Sequence, residues 1–369
     1  MLAAYACTVG AAAPQTDTVK LVHFQEKATA QAAMMTKAYK NQAQTNSQSV
    51  SITLPQSIAL ALQNNRTLHQ SQWDYEAAIA QVGVATSGRN PVVTYNYSAN
   101  HTGNEVNGVS KTGNAFSHQL GVGVSVFNRA LDAQIEAAKY SRDGSGAALT
   151  EAAQTAKLTA ATNYLSLIMS RNKVNVAEQT VRDYEEHLKN ANLQYQVGIV
   201  SKSDVLATNT RLANAKTALV EAKNAANLAE AKFNNHVGLP VSTPIVTADK
   251  ELSYAPYGIS LESAKSYGVA HRGAIVQAAM AVKAAEENVG LADASDIPVV
   301  KANASRRMNG AHWAGNDSKD WSVGATLSWN VWDGGQSKAN VSAAKAKLEK
   351  AKEAYAQTID TVELQVQEA

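Results

Sequence analysis

One cysteine, Cys7, occurs in 369 residues. A single thiol forms no intrachain disulfide and no cysteine metal cage, so neither can hold this fold together. Phenylalanine is scarce, with 4 copies, while alanine is abundant. That is an odd supply for a large globular core, but it suits closely packed helices with small residues in their seams. Charge of neither sign is in excess: 33 Lys and Arg stand against 31 Asp and Glu. With no basic block, the chain does not read as a nucleic-acid binder. No run of about 18 apolar residues occurs, which excludes a membrane-spanning helix. It leaves open a membrane β-barrel, whose strands carry a much weaker signal. Catalytic groupings are missing as well. The eight histidines are scattered, and there is no zinc-type His pair with a Glu, no phosphate-binding glycine loop and no nucleophile elbow. His187 falls on the polar side of a helical pattern and reads as a solvated residue. The sequence implies no enzyme, no metal and no cofactor.

The first residues, MLAAYACTVGAAAPQ, are small and apolar. They look like the back half of a secretory signal with a cut near Ala11–Ala13, although the charged start is missing. Ala4-Tyr5-Ala6 before Cys7 is a poor match to a lipoprotein site. Residues 1–50 are read as a signal remnant and flexible lead-in. Residues 239–259, with Pro240, Pro244 and Pro256, read as a linker.

Between these lies a repeat. GRNPVVTYNYSAN (88–100) and SDIPVVKANASRR (295–307) each place Pro-Val-Val after a helical run and before an alternating one. Pro91 and Pro298 are separated by 207 positions (298 minus 91). The same offset carries Leu54 onto Leu261, Ala77-Ala78 onto Ala284-Ala285, and Ala85 onto Ala292. Each half therefore reads as helix, proline break, strand, polar Gly/Asn loop, strand, helix: residues 51–238 and then 260–369.

The strands alternate with period two. Val122, Val124 and Val126 fall on one face, against Gly121, Gly123 and Ser125. Val323, Ala325, Leu327 and Trp329 oppose Ser322, Gly324, Thr326 and Ser328. Aromatic residues gather near the strand ends: Tyr95, Tyr97, Phe127, Trp321, Trp329 and Trp332. Two soluble hairpins packed on helices fit this pattern. So does a wall of a membrane barrel, wet on one side and lipid-facing on the other. Four strands are too few to enclose a channel, so a barrel would need several chains.

The helices are long. The pattern runs from about Leu131 to Tyr195, with Gly144-Ser145-Gly146 expected to weaken or kink it. Val174, Ala177, Val181, Tyr184, Leu188, Ala191 and Tyr195 follow heptad spacing. So do Val205, Thr208, Leu212, Ala215, Leu219, Ala222, Ala226, Ala229 and Phe233. Between them, Gly198 is suited to end the first helix in a left-handed conformation. Ser201 or Ser203 can cap the second, with Asp204 in its first turn. The two seams then face one another in an antiparallel hairpin whose tip is 197–203.

Three stretches carry a family resemblance: SITLPQSIALALQNNRTL (51–68), VWDGG (331–335) and YQVGIVSKSDVL (195–206). In this order, within a duplicated layout, the chain resembles the TolC-like outer-membrane efflux proteins over roughly residues 51–369. The first-half return, Val126-Phe127-Asn128-Arg129, lacks the Gly-Gly pair. The resemblance implies a mainly α protein with β. Duplicated coiled-coil helices would form a periplasmic α-barrel, and four strands per chain would enter a twelve-stranded barrel of a homotrimer in outer-membrane lipid. It also implies a passive export conduit of a tripartite efflux or type I secretion system, working with a periplasmic adaptor and an inner-membrane pump. Hairpin tips would form the periplasmic mouth. There a ring of Asp204 carboxylates, with Ser203 as a bonding partner, would favour cations and help hold the gate shut. Gly198, Ile199, Val200 and Lys202 would meet the adaptor, since exposed apolar residues at a tip suggest a partner. The competing reading is a soluble periplasmic or surface coiled-coil interaction protein. Carried forward by the offset, a second tip is expected near position 405, beyond Ala369. The sequence is therefore expected to be a fragment of a longer repeat.

Overall fold

A computed structural model describes residues 50–106, 109–249, 256, 258–313 and 317–369. The signal-like stretch, Cys7 and the lead-in up to residue 49 lie outside the described residues.

Strand β1 (Val50–Ile52) leads into helix α1 (Leu54–Asn64) through Thr53. Thr53 and Gln56 satisfy each other's backbone amides in a capping box, and Pro55 occupies the first turn, where its missing N–H is no loss. The chain breaks at Asn65, in extended conformation, and resumes as α2 (Arg66–Ser87). Asn65 Oδ1 accepts the Leu68 amide at 3.0 Å, capping the new helix. Strands β2 (Val92–Val106) and β3 (Val109–Phe127) follow, then α3 (Arg129–Gln196) and α4 (Lys202–His236). A short β4 (Ile245–Thr247) precedes α5 (Leu261–His271) and α6 (Gly273–Asp293). After one 3₁₀ turn come β5 (Val299–Gly310), β6 (Ser318–Ser328) and α7 (Gln336–Glu368). The starts of α1, α2, β2 and α3 recur 207 positions later as the starts of α5, α6, β5 and α7 (261 minus 54, 273 minus 66, 299 minus 92, 336 minus 129).

Two compact units emerge, and they do not follow the sequence halves. One comprises the described residues up to His69 with Ala152–Pro256; the other comprises Gln70–Glu151 with Tyr257–Ala369. In the first unit the α3–α4 hairpin brings the end of α4 back to α1. Asn65 Nδ2 donates to the His236 carbonyl at 3.1 Å, and Asn64 Nδ2 to the Val237 carbonyl at 3.4 Å. Ile52, Leu60, Tyr164, Leu167, Phe233, Val237 and Ile245 make its core. Part of the stretch expected to be a linker is ordered here: β4 pairs in parallel with β1. Ile245 is buried while Val246 is exposed, so three residues of alternation anchor the chain to that core. Tyr164, 1% exposed, lies beneath the pair. Its hydroxyl lies 3.0 Å from the Ile52 carbonyl and 2.7 Å from Asp249 Oδ2.

In the second unit the four long strands form one sheet in the order β2-β3-β5-β6, antiparallel throughout. The first hairpin is longer than the alternation suggested. Residues expected to be a polar loop continue the ladder until Val106 faces Val109. Ladder hydrogen bonds are backbone bonds, so a run of polar residues need not end a strand. The expected weak point at Gly144-Ser145-Gly146 is also continuous helix, within the 68 residues of α3. Its glycines serve close approach instead. A Cβ on Gly144 would lie 3.4 Å from Met280 Cβ of α6, and one on Gly146 would lie 3.2 Å from the Tyr75 ring of α2.

Candidate functional site: the strand wall and the helical tip

The register assigns every side chain of the sheet to one of two faces, because directly opposed residues point the same way. One face carries the rows Phe127–Val300–Leu327, Val124–Ala302–Ala325, Val93–Val122–Ala304–Val323 and Tyr95–Leu120–Arg306–Trp321. The other carries Ser125–Lys301–Thr326, Thr94–Gly121–Ser305–Ser322 and Asn96–Gln119–Arg307–Asp320. Two pairs of polar groups on this second face bond each other: Arg307 donates to Gln119 at 2.8 Å, and the Ser305 and Ser322 hydroxyls lie 2.9 Å apart. The apolar face is bare. Trp321 is 79% exposed, Val323 74% and Leu327 64%.

Two residues depart from the simple alternation. A bulge between Ser125 and Phe127 shifts the register, so Phe127, not Val126, joins the last apolar row. Trp329 lies past the end of β6, where its indole N–H donates to the Asp296 carbonyl at 3.0 Å.

All four helix connections leave from one end of the sheet, and the hairpin turns lie at the other. The helix end is built twice by different chemistry. In VWDGG, Gly334 and Gly335 have φ of +70° and +92°. Asp333 turns its carboxylate onto the Gly335 amide at 3.0 Å, the Ser337 amide at 2.7 Å and the Ser337 hydroxyl. Those bonds, the hydroxyl's above all, hold the Asp333 carboxyl below its ordinary range. In the first half Asn128 does the work alone, its Oδ1 accepting the Leu131 amide at 3.2 Å. Side-chain capping makes a left-handed glycine pair unnecessary there.

The tip is formed by the end of α3 and the start of α4. Gly198, at φ +79°, donates its amide to the Tyr195 carbonyl at 3.0 Å. Ile199 donates to the Gln194 carbonyl at 2.8 Å. Together these are a Schellman ending, the reason glycine stands at this position. Of the two serines that suit the next cap, Ser201 holds it. Its hydroxyl donates to Asp204 Oδ2 at 2.8 Å and accepts the Asp204 amide at 3.3 Å, while its own amide donates to the same carboxylate at 3.0 Å. The Ser201 hydroxyl, then its amide, keep the exposed Asp204 carboxyl below its ordinary value. This Ser-x-x-Asp box was readable in the sequence. Lys202 and Ser203 occupy the first turn of α4 and are exposed. Val197 and Ile199 are 71% and 72% exposed, and Val200 is half-buried. Below the tip Val181, Leu212 and Ala215 are buried, with Tyr184, Leu188 and Leu219 packed against them. Glu185–Lys216 (3.0 Å) and Glu178–Lys223 (3.1 Å) bridge the hairpin. His187 is exposed beside Tyr184.

Among the described residues no group of three His, Cys, Asp or Glu is placed to hold a metal ion. No helix there is long and apolar enough to cross a membrane.

Comparison with known proteins matches this geometry. A family profile described as "Outer membrane efflux protein" fits residues 57–239 and 269–369. The chain is 25% identical to outer membrane protein OprJ of Pseudomonas aeruginosa over 328 residues, covering 85% of this chain and 67% of that protein. It is 24% identical to nodulation protein T of Rhizobium leguminosarum bv. viciae over 329 residues, 86% of this chain and 66% of that one. It thus spans about two thirds of the length of these relatives. Its fold is similar to the crystal structure of the Campylobacter jejuni CmeC outer membrane channel, with a TM-score of 0.72 and 19% identity over 84% of this chain and 68% of that one.

Proposed function

This chain belongs to the outer membrane efflux protein family, and on that premise we propose that three copies assemble into the channel of a tripartite efflux or type I secretion system. As a member of that family it sits in the outer membrane with its helices extending into the periplasm.

One observation carries the proposal: a sheet with one bare apolar face and two open edges. A chain that worked alone in water would have to cover that face, and among the described residues it is uncovered. Among the described residues β2 and β6 each pair on one side only. With strict antiparallel alternation across four strands, β2 and β6 run in opposite directions. Placing β6 of one copy beside β2 of the next therefore continues the same antiparallel ladder, and three copies close twelve strands with no edge left. The apolar rows then meet lipid, and the Ser, Thr, Asn and Arg307 rows face water. Exposed Leu158, Met169, Val176, Val220 and Leu228 on α3 and α4 give the helices an apolar surface for lateral packing between copies.

At the periplasmic mouth, Gly198, Ile199, Val200 and Lys202 form the contact for an adaptor, which couples the channel to an inner-membrane pump. Asp204, with Ser203 beside it, is the gate residue. Three copies bring three ionised carboxylates toward one axis, favouring cations there.

The assembly is tested by mass measurement in detergent. A three-chain particle is expected, and a detergent-free soluble monomer would overturn the proposal. The gate is tested in planar bilayers with Asp204→Ala, which should open more often and lose cation preference. If both quantities are unchanged, Asp204 is not part of the gate.

A further inference from the structure

The lipid-facing side of the wall is not uniformly apolar. Two successive rows toward the hairpin end of the sheet are Tyr95–Leu120–Arg306–Trp321 and Tyr97–His118–Met308–Lys319. Arg306 stands directly opposite Trp321. Lys319 is two residues before Trp321 on the same strand, diagonal to Arg306 and about 7–8 Å away. Arg306 and Lys319 are exposed. Among the described residues neither has an ion-pair partner. The neighbouring Arg307 is the contrast: it points to the opposite face, bonded to Gln119 and in the row of Asp320. His118, the remaining titratable group in these rows besides the tyrosines, is engaged on both nitrogens. Its Nε2–H donates to the Trp313 carbonyl at 3.1 Å, and its Nδ1 lies 2.8 Å from the Tyr95 hydroxyl.

Height fixes what these cations meet. From Leu327 to Lys319 the strand rises roughly 27 Å at ~3.4 Å per residue. A tilt of about 40° reduces this to roughly 20 Å for Lys319 and, from its pairing with Trp321, roughly 16 Å for Arg306; their long side chains extend from there toward the far margin of an outward apolar band about 25 Å tall. With the helices on the periplasmic side, that margin belongs to the outer leaflet. A cation buried in lipid tails would be strongly disfavoured. At the margin it faces headgroups, where the commonest anion is phosphate. The guanidinium fork matches phosphate oxygens bidentately, and an ammonium beside it adds a second point of charge. Trp321, Tyr95 and Tyr97 are interfacial side chains, apolar in body and polar at the tip.

We infer that Arg306 and Lys319, beside Trp321, form a binding site for the phosphorylated headgroup of an outer-leaflet lipid. The inference rests on the barrel proposed above. The site gives each copy a fixed lipid at the outer rim and sets the depth at which the wall sits.

The test uses the purified protein in nanodiscs of phosphatidylcholine alone, or of phosphatidylcholine with diphosphoryl lipid A. Retained lipid A per chain is read by native mass spectrometry after delipidation. The wild type should retain diphosphoryl lipid A and should release the fully dephosphorylated lipid. The double substitution Arg306→Gln with Lys319→Gln should weaken retention at least about tenfold, Arg306→Lys should restore part of it, and Arg307→Gln should leave it unchanged. Inorganic phosphate added as competitor should not displace the lipid. Equal retention by the double variant, or equal retention of dephosphorylated lipid, overturns the site. Displacement by inorganic phosphate would mark a general anion site in place of a lipid site. Particle mass is recorded for every variant. A double variant that keeps its three-chain mass and still retains lipid A as the wild type does refutes only the lipid site, whereas loss of that mass in the wild type refutes the barrel.

Discussion

Gly198 and Gly238 end their helices with the same pair of backbone bonds, at φ of +79° and +74°. Replacing them should nevertheless cost different amounts. Around Gly198 a new Cβ meets open space, so Gly198→Ala bears only the left-handed penalty, about 1–2 kcal/mol. At Gly238 the same Cβ would lie 2.5 Å from Asn64 Cβ and 2.9 Å from the Asn64 carbonyl, which forces α1 and α4 apart. Gly238→Ala should cost roughly 2–5 kcal/mol once overpacking is added. Denaturant unfolding followed by circular dichroism should rank the two in that order; equal midpoints would refute the packing argument. Tyr164 gives a pH-dependent prediction. Burial, then its bond to Asp249, raise its pKa from 10.0 to about 12. Its contribution to stability is therefore complete below the unfolded value and is lost as pH rises from about 10 through 12, at up to ~1.4 kcal/mol per pH unit. The wild type should lose stability over that window, and Tyr164→Phe should flatten that part of the profile while lowering stability at neutral pH by about 1 kcal/mol.

At the scale of the element, the tip separates what is local from what is not. Glycine at a helix end, Ser three residues before Asp, and two heptad seams are short-range signals, and the hairpin follows them closely. Only the choice of cap stayed open. Ser201→Ala should lower the stability of the start of α4 by about 1 kcal/mol, while Ser203→Ala should not, as read from amide exchange at residues 203–206. The bond to Asp204 adds a pH signature. Because that carboxyl is held low in the fold, its contribution is present above the ordinary aspartate range and lost as pH falls through the lowered value. Protection of those amides, taken relative to intrinsic exchange at each pH, should fall in acid by more in the wild type than in Ser201→Ala, which keeps the backbone bond to Asp204. Other elements were misjudged for physical reasons. Gly144 and Gly146 read as helix breakers because their partners, Met280 and Tyr75, are distant in sequence. Residues 101–106 read as loop because most of them are polar. Pro-rich residues 239–259 hid β4, which pairs with β1 almost two hundred residues earlier. The bulge at Ser125–Phe127 was invisible because alternation alone carries no register.

At the scale of the whole molecule, the duplication supplies two hairpins, and pairing β3 with β5 fuses them into one sheet with a single apolar face. The sheet's side chains are sorted by environment, not by strand, and this makes a paired experiment possible. Val323 and Ser322 are adjacent on β6 and point to opposite faces, opposed by Ala304 and Ser305. If the apolar face meets lipid, Val323→Lys places a charge in hydrocarbon and should destabilise the assembled channel by about 2–4 kcal/mol per chain near mid-depth. Ser322→Lys places the same charge in water on the other face and should leave assembly intact, changing instead the ion preference of the pore. Heat-resistant trimer on unboiled gels reports the first effect, and reversal potential in planar bilayers the second. Equal loss of trimer from both variants would mean that both faces are packed against protein. Equal tolerance would mean that both are wet. In either case the sheet would not be a barrel wall, because the sidedness of one strand is the property that a lipid boundary imposes and a soluble hairpin has no cause to share.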